Sequence, residues 1–147
     1  MSKTIHLASD HAGFALKSLV IAHLAEQGHA VQDHGAGNTQ SCDYPVYAQA
    51  LCKAVLARGE PGILICGSGL GMSMMANRFR GIRAALCANE HLAALARRHN
   101  DANVLCLGER VVGAGLALAI VDAFLHNSFE GGRHQARIAM LDHNPDA

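Results

Sequence analysis

Cys66 stands directly before Gly67-Ser68-Gly69-Leu70-Gly71, and this pairing of a thiol with a glycine-rich turn is the segment richest in chemistry. The reactive form of cysteine is the thiolate. A free thiol has a pKa of about 8.5, and a helix N-terminus lowers it. Glycines let backbone N–H groups converge on one point, and a following helix adds its positive end, so the same turn stabilises an anion. The pair can serve as a base or nucleophile beside an anion hole. A plainer description also fits: a buried core cysteine followed by a tight strand-to-helix turn. Cys87 and Cys106, in apolar runs with no such turn behind them, fit that description better.

Single positions exclude several phosphate-directed motifs. Counting G-x-G-x-x-G from Gly67, the third glycine falls on Met72, and no strand-end acid follows about 20 residues later to hold a ribose. No Gly-Lys-Ser/Thr follows the turn, so it is not a nucleotide P-loop. A Cys-x5-Arg phosphatase loop would also need its arginine where Met72 stands.

Other candidates are scattered. Asp10, His11 and Gly13 follow the first apolar run, and Gly108, Glu109 and Arg110 follow another. Arg133 and Arg137 are four apart on one face of a helix, a spacing that suits a phosphate dianion but more commonly marks two solvated surface arginines. His99 closes a helix with the stripe Leu92, Leu95, Ala96, and Asn100 and Asp101 mark its end. On pattern alone a histidine placed like His99 is more often a capping or half-buried residue than an acid–base group. His6, His23, His29, His91, His126 and His143 show no partner pattern.

The elements that must hold these residues alternate along the chain. Thr4 to Ala8, His29 to Asp33, Gly62 to Cys66, Arg83 to Cys87 and Asn103 to Leu107 read as strands. Helical patterns span Ala12 to Gln27 (with Gly28 as a stop), Pro45 to about Arg58, the turn to about Arg78, Glu90 to His99, Ala114 to Leu125 and Arg133 to Leu141. Gly35 to Asp43 is a polar loop. Strands apolar on both faces, alternating with helices, predict a five-stranded parallel sheet covered by helices on both sides, as one α/β domain over residues 1–147. In such sheets ligands bind beyond the carboxyl ends of the strands, where Asp10, Cys66 and Gly108 to Arg110 fall. Between Ala114 and Leu125 the one charged residue is Asp122, so that helix needs cover on more than one side, and a second subunit is the simplest cover.

Composition narrows the partners. The 147 residues are 50% hydrophobic and 16% charged, with 12 Lys+Arg against 12 Asp+Glu. A zero net charge attracts neither nucleic acid nor an anionic membrane. No stretch approaches the roughly 20 apolar residues of a membrane span, and no signal peptide is visible. Five cysteines, Cys42, Cys52, Cys66, Cys87 and Cys106, with no C-x-x-C pair, fit neither a disulfide framework nor a zinc site. A reducing cytoplasm is the expected location.

Taken in order, several segments resemble the ribose-5-phosphate isomerase B family, with its galactose-6-phosphate and allose-6-phosphate isomerase relatives. They are S-D-H-A-G-F at Ser9 to Phe14, D-Y-P at Asp43 to Pro45, C-G-S-G-L-G-M-S at Cys66 to Ser73, A-N-R at Ala76 to Arg78 and G-I-R-A-A at Gly81 to Ala85. R-H-N-D-A-N-V-L at Arg98 to Leu105, G-E-R-V-V-G at Gly108 to Gly113 and F-E-G-G-R-H-Q-A-R at Phe129 to Arg137 complete the set. The resemblance implies a Rossmann-like three-layer α/β/α sandwich, a dimer or dimer of dimers with active sites at the subunit interface, no metal and no cofactor. It implies aldose–ketose isomerisation of a phosphorylated sugar, by default ribose 5-phosphate to ribulose 5-phosphate. Allose 6-phosphate, galactose 6-phosphate or a tetrose phosphate are the alternatives.

It also implies roles. Cys66 carries the proton from carbon 2 to carbon 1. Members with a glutamate base carry it where this chain has Met72, which places this chain with the cysteine-base members. Ser68 and the backbone of Gly67, Gly69, Leu70 and Gly71 hold the enediolate. His99 opens the sugar ring, with Asp10 and Tyr44 nearby, and Asn100 binds a sugar oxygen. His11, Arg110, Arg133 and Arg137 bind the phosphate, some from the neighbouring subunit. Two other classes compete. A non-catalytic sugar-phosphate sensor would need His11 and the arginines but not Cys66 with His99. A cysteine hydrolase would need Cys66 as a covalent nucleophile beside a base and a water.

Overall fold

The computed structural model describes residues 3–143. Five strands, β1 (Ile5–Ser9), β2 (Val31–Asp33), β3 (Gly62–Cys66), β4 (Ala84–Leu86) and β5 (Val104–Gly108), form one sheet in the order β2-β1-β3-β5-β4. Every pairing is parallel. The helices are α1 (Phe14–Glu26), α2 (Tyr44–Arg58), α3 (Leu70–Ala76), α4 (Glu90–Asn100), α5 (Ala114–His126) and α6 (Arg133–Leu141). A single 3-10 turn, His11–Gly13, precedes α1.

Burial explains which strands are long. β1, β3 and β5 are buried at every residue. β2 and β4 lie at the two edges and keep three residues each, where the sequence pattern predicts five. An edge strand has one neighbour to pair with, so its ends are held less firmly than those of an inner strand.

Successive residues of a strand face opposite sides. Ile63 and Ile65 therefore join the core under α1, α4 and α5, while Leu64 and Cys66 join the core under α2 and α3. The result is the expected three-layer sandwich. The expected need for a second subunit over α5 is largely met inside the chain. α1 and α4 flank α5 and bury Ala117, Ile120, Val121 and Phe124. Asp122, the charge in its middle, bonds His23 of α1 at 2.8 Å. Leu116, near the start of α5, stays 40% exposed.

Each crossover helix runs back along the sheet against the strand direction. Strand ends therefore gather at one rim and helix ends at the other. The carboxyl rim receives Asp10, Cys66 and Gly108 to Arg110. The amino rim receives the end of α4, where the Gly62 amide at the start of β3 donates to Asn103 O at 2.9 Å.

Candidate active site

β1 and β3 are neighbours whose crossovers leave in opposite directions, so a crevice opens between their carboxyl ends. A cleft of about 530 Å³ occupies it, lined among others by Asp10, His11, Tyr44, Cys66, Ser68 and Arg110. Two further cavities, of about 420 and 440 Å³, lie at the amino rim and against β4, away from Cys66.

Cys66 is 5% exposed and closes β3. Gly69 takes φ +80°, a region open to glycine at little cost, which turns its N–H back onto Cys66 Sγ at 3.1 Å. The Leu70 N–H donates to Ser68 Oγ at 3.2 Å, leaving the Ser68 O–H free to donate elsewhere. Gly67 and Gly71 also line the cleft. Among the other inner thiols, burial pushes Cys52 up to about 12, Cys87 to about 11 and Cys106 well above the usual range. Met72 is fully buried in the core beneath the turn, so no second base arises there.

The rest of the lining is held by backbone. Asp10 caps the 3-10 turn, its Oδ1 accepting from the Gly13 N–H at 3.1 Å. His11 Nδ1 accepts from the Cys42 N–H at 3.2 Å, so the neutral ring carries its proton on Nε2 and presents a donor there. The Glu109 and Arg110 amides donate to Cys66 O and Gly67 O, both at 2.9 Å. Glu109 Oε1 caps the start of α1 by accepting from the Leu16 N–H at 2.7 Å. Arg110 then lies across Gly67, its Nη1 3.1 Å from where a β-carbon would stand.

His99, Asn100, Arg133 and Arg137 do not line this cleft. α4 runs away from the carboxyl rim, so its last residues, His99 and Asn100, lie at the opposite rim from the thiol. Asn100 O accepts there from Arg83 Nε at 2.9 Å. Arg133 and Arg137, both exposed, sit on α6, which packs beside α4.

These residues belong to a second cluster. The His99 and His134 rings stack with centroids 4.3 Å apart and planes 14° apart. Glu130 Oε1 stands 3.6 Å from His99 Nε2 and 3.9 Å from His134 Nε2. Burial, then the nearby His99 and Arg133, pushes His134 below the usual histidine range. The ligand atoms of His99, Glu130 and His134 lie within 4.8 Å of one another, close enough to consider a metal. Stacked rings, however, send their lone pairs out side by side, Arg98 occupies Glu130 Oε2 at 2.8 Å, and Arg133 adds positive charge.

Sequence reasoning gave Glu130 and His134 no role. Their four-residue spacing, within the stretch that also holds Arg133 and Arg137, is the one signal that could have singled them out.

Comparison with known proteins places the chain in a family. Residues 5–141 match the Ribose/Galactose Isomerase family. Ribose-5-phosphate isomerase B of Escherichia coli is 51% identical over 95% of this chain and 94% of its own length. The crystal structure of a ribose 5-phosphate isomerase from Thermotoga maritima superposes with a TM-score of 0.94 at 50% identity, over 97% of this chain and 99% of that one. Ribose-5-phosphate isomerase B of Mycoplasma genitalium, solved with bound ribulose-5-phosphate, gives a TM-score of 0.92 at 44% identity, over 97% of this chain and 95% of that one.

Proposed function

This chain belongs to the Ribose/Galactose Isomerase family, and from that premise we propose that its cleft interconverts ribose 5-phosphate and ribulose 5-phosphate through an enediolate. The observation that carries the reading is Cys66 Sγ at a strand end, held by the Gly69 amide and facing a cleft that also holds Asp10, His11, Tyr44 and Arg110.

The Cys66 thiolate takes the proton from carbon 2 of the open-chain aldose, and the electron pair moves onto oxygen 1. Amides of Gly67 to Gly71 and the Ser68 hydroxyl hold that charge. Cys66 then returns the proton to carbon 1, while the proton of oxygen 2 passes to oxygen 1, leaving a hydroxyl on carbon 1 and a ketone at carbon 2. Acid–base transfer is typically worth about 10²–10⁴-fold and an oxyanion donor about 10²–10³-fold. The substrate is neither oxidised nor reduced overall, so no redox cofactor is called for.

His99 opens the furanose ring, with Asp10 and Tyr44 alongside, and Asn100 binds a sugar oxygen. His11, Arg110, Arg133 and Arg137 grip the phosphate. Since His99, Asn100, Arg133 and Arg137 lie away from the cleft of their own chain, a second copy supplies them, and the active unit is at least a dimer. All five thiols are free, in keeping with a reducing cytoplasm, and no helix among the described residues is long and apolar enough to cross a membrane.

The test is a ribulose-forming assay on ribose 5-phosphate with Cys66→Ala. Turnover should vanish while calorimetric binding of the sugar phosphate persists. Near-normal turnover in that variant would overturn the assignment of the base.

A further inference from the structure

The stacked histidines outside the cleft form a built arrangement. Glu130 is fixed to α4 twice: its N–H donates to Arg98 O at 2.9 Å, and its Oε2 accepts from Arg98 Nε at 2.8 Å. That leaves Oε1 facing both imidazoles, at ion-pair rather than hydrogen-bond separation. His134 is 8% exposed, and among the described residues its Nε2 has no hydrogen-bond partner. A buried polar atom left unpaired costs free energy, so its retention calls for an explanation.

We propose that Glu130 and His134 are positioning residues for His99: the carboxylate anchors the edge of its imidazole, and the His134 ring face fixes its plane. This rests on the reading of His99 as the group that opens the sugar ring. A ring-opening donor must present its proton in one direction to a substrate held by another subunit, so free rotation of its side chain would be a loss. His99 is 34% exposed and its ring has no hydrogen bond among the described residues. The stack and the carboxylate are what hold it.

The charges agree with this division of labour. Arg98 keeps Glu130 below the usual carboxylate range, so the carboxylate is ionised at neutral pH and faces the His99 ring edge. His134, lowered by burial and by the charges of His99, Arg133 and Arg137, is neutral there and stacks on His99 without repelling it. The Arg98 guanidinium is neutralised by Glu130 itself.

A double-mutant cycle on ribose 5-phosphate turnover tests the proposal. His99→Asn, Glu130→Gln and His134→Ala should each lower kcat/KM roughly tenfold or more, a share of the ~10²–10⁴ that acid–base catalysis supplies. Glu130→Gln placed on top of His99→Asn should cost nothing further, because the carboxylate acts through a ring already gone. His134→Phe should restore most of what His134→Ala loses, since a neutral ring face is retained. Additive losses in the cycle, near-normal Glu130→Gln, or a Phe variant as poor as the Ala variant would overturn the proposal. Full activity of His99→Asn alone would instead overturn the underlying role of His99.

Discussion

Tyr44 closes over Gly71 so tightly that a β-carbon there would stand 2.5 Å from the ring's Cζ and 2.9 Å from its hydroxyl oxygen. The obstruction comes from the far end of a side chain that is itself 37% exposed, so the ring can swing away. Gly71→Ala should therefore displace Tyr44 from the cleft while leaving the fold intact. We expect a stability change within about 0.5 kcal/mol, as for a surface substitution. The apparent KM for ribose 5-phosphate should rise roughly tenfold, equivalent to about 1.4 kcal/mol. Unchanged KM with a normal melting curve would remove Tyr44 from the substrate's surroundings.

The thiols should separate by reactivity. Alkylation proceeds through the thiolate, and burial raises Cys52, Cys87 and Cys106 far above neutral pH. At pH 7.5 iodoacetamide should mark Cys66 and the partly exposed Cys42 and spare the other three until the protein is unfolded. Ribose 5-phosphate should protect Cys66. Peptide mass spectrometry reads the pattern, and early labelling of Cys106 would contradict the described core.

Acid should weaken one corner of the fold. Hydrogen bonds from His6, at 3.0 Å, and Arg58, at 2.8 Å, hold Glu60 down from 4.5 to about 2. A carboxylate whose folded pKa is depressed contributes stability above its unfolded pKa, and that contribution fades as pH falls toward the folded value. Wild-type melting temperature should thus decline between pH 4.5 and 2 more steeply than that of Glu60→Gln. Parallel declines would show that the pairing does not contribute.

Complementation checks the shared site. Cys66→Ala chains, inactive alone, and His99→Asn chains, strongly impaired alone, should regain activity when unfolded together and refolded as a mixture. In a two-fold dimer half the pairs are mixed and each mixed pair has one intact site, so roughly one quarter of wild-type activity is expected. No recovery, with mixed pairs shown to form, would mean that both residues act within one chain.

Much of this architecture is written in local pattern. Apolar runs such as Gly62 to Cys66, and the glycine turn behind them, locate the sheet and the thiol without any coordinates. What the pattern conceals is contact between distant residues. Lys17, a charge within a helical pattern, is 1% exposed, bonding Asp33 at 2.8 Å and Ala36 O at 2.6 Å. His6 carries no visible partner in sequence, yet it bridges His34 at 2.8 Å and Glu60, 54 residues away. Glu130 and His134 escaped notice for the same reason: their meaning comes from His99, which another helix delivers. The cover of α5 by α1 and α4 likewise depends on which helices the sheet order places side by side.

The return direction of α4 has a last consequence. By sending His99 to the rim opposite Cys66, it would, in the proposed two-chain site, separate folding from competence: a solitary chain would be fully native and still inert. Specific activity would then depend on how much enzyme is present, falling on dilution well before any spectroscopic sign of unfolding.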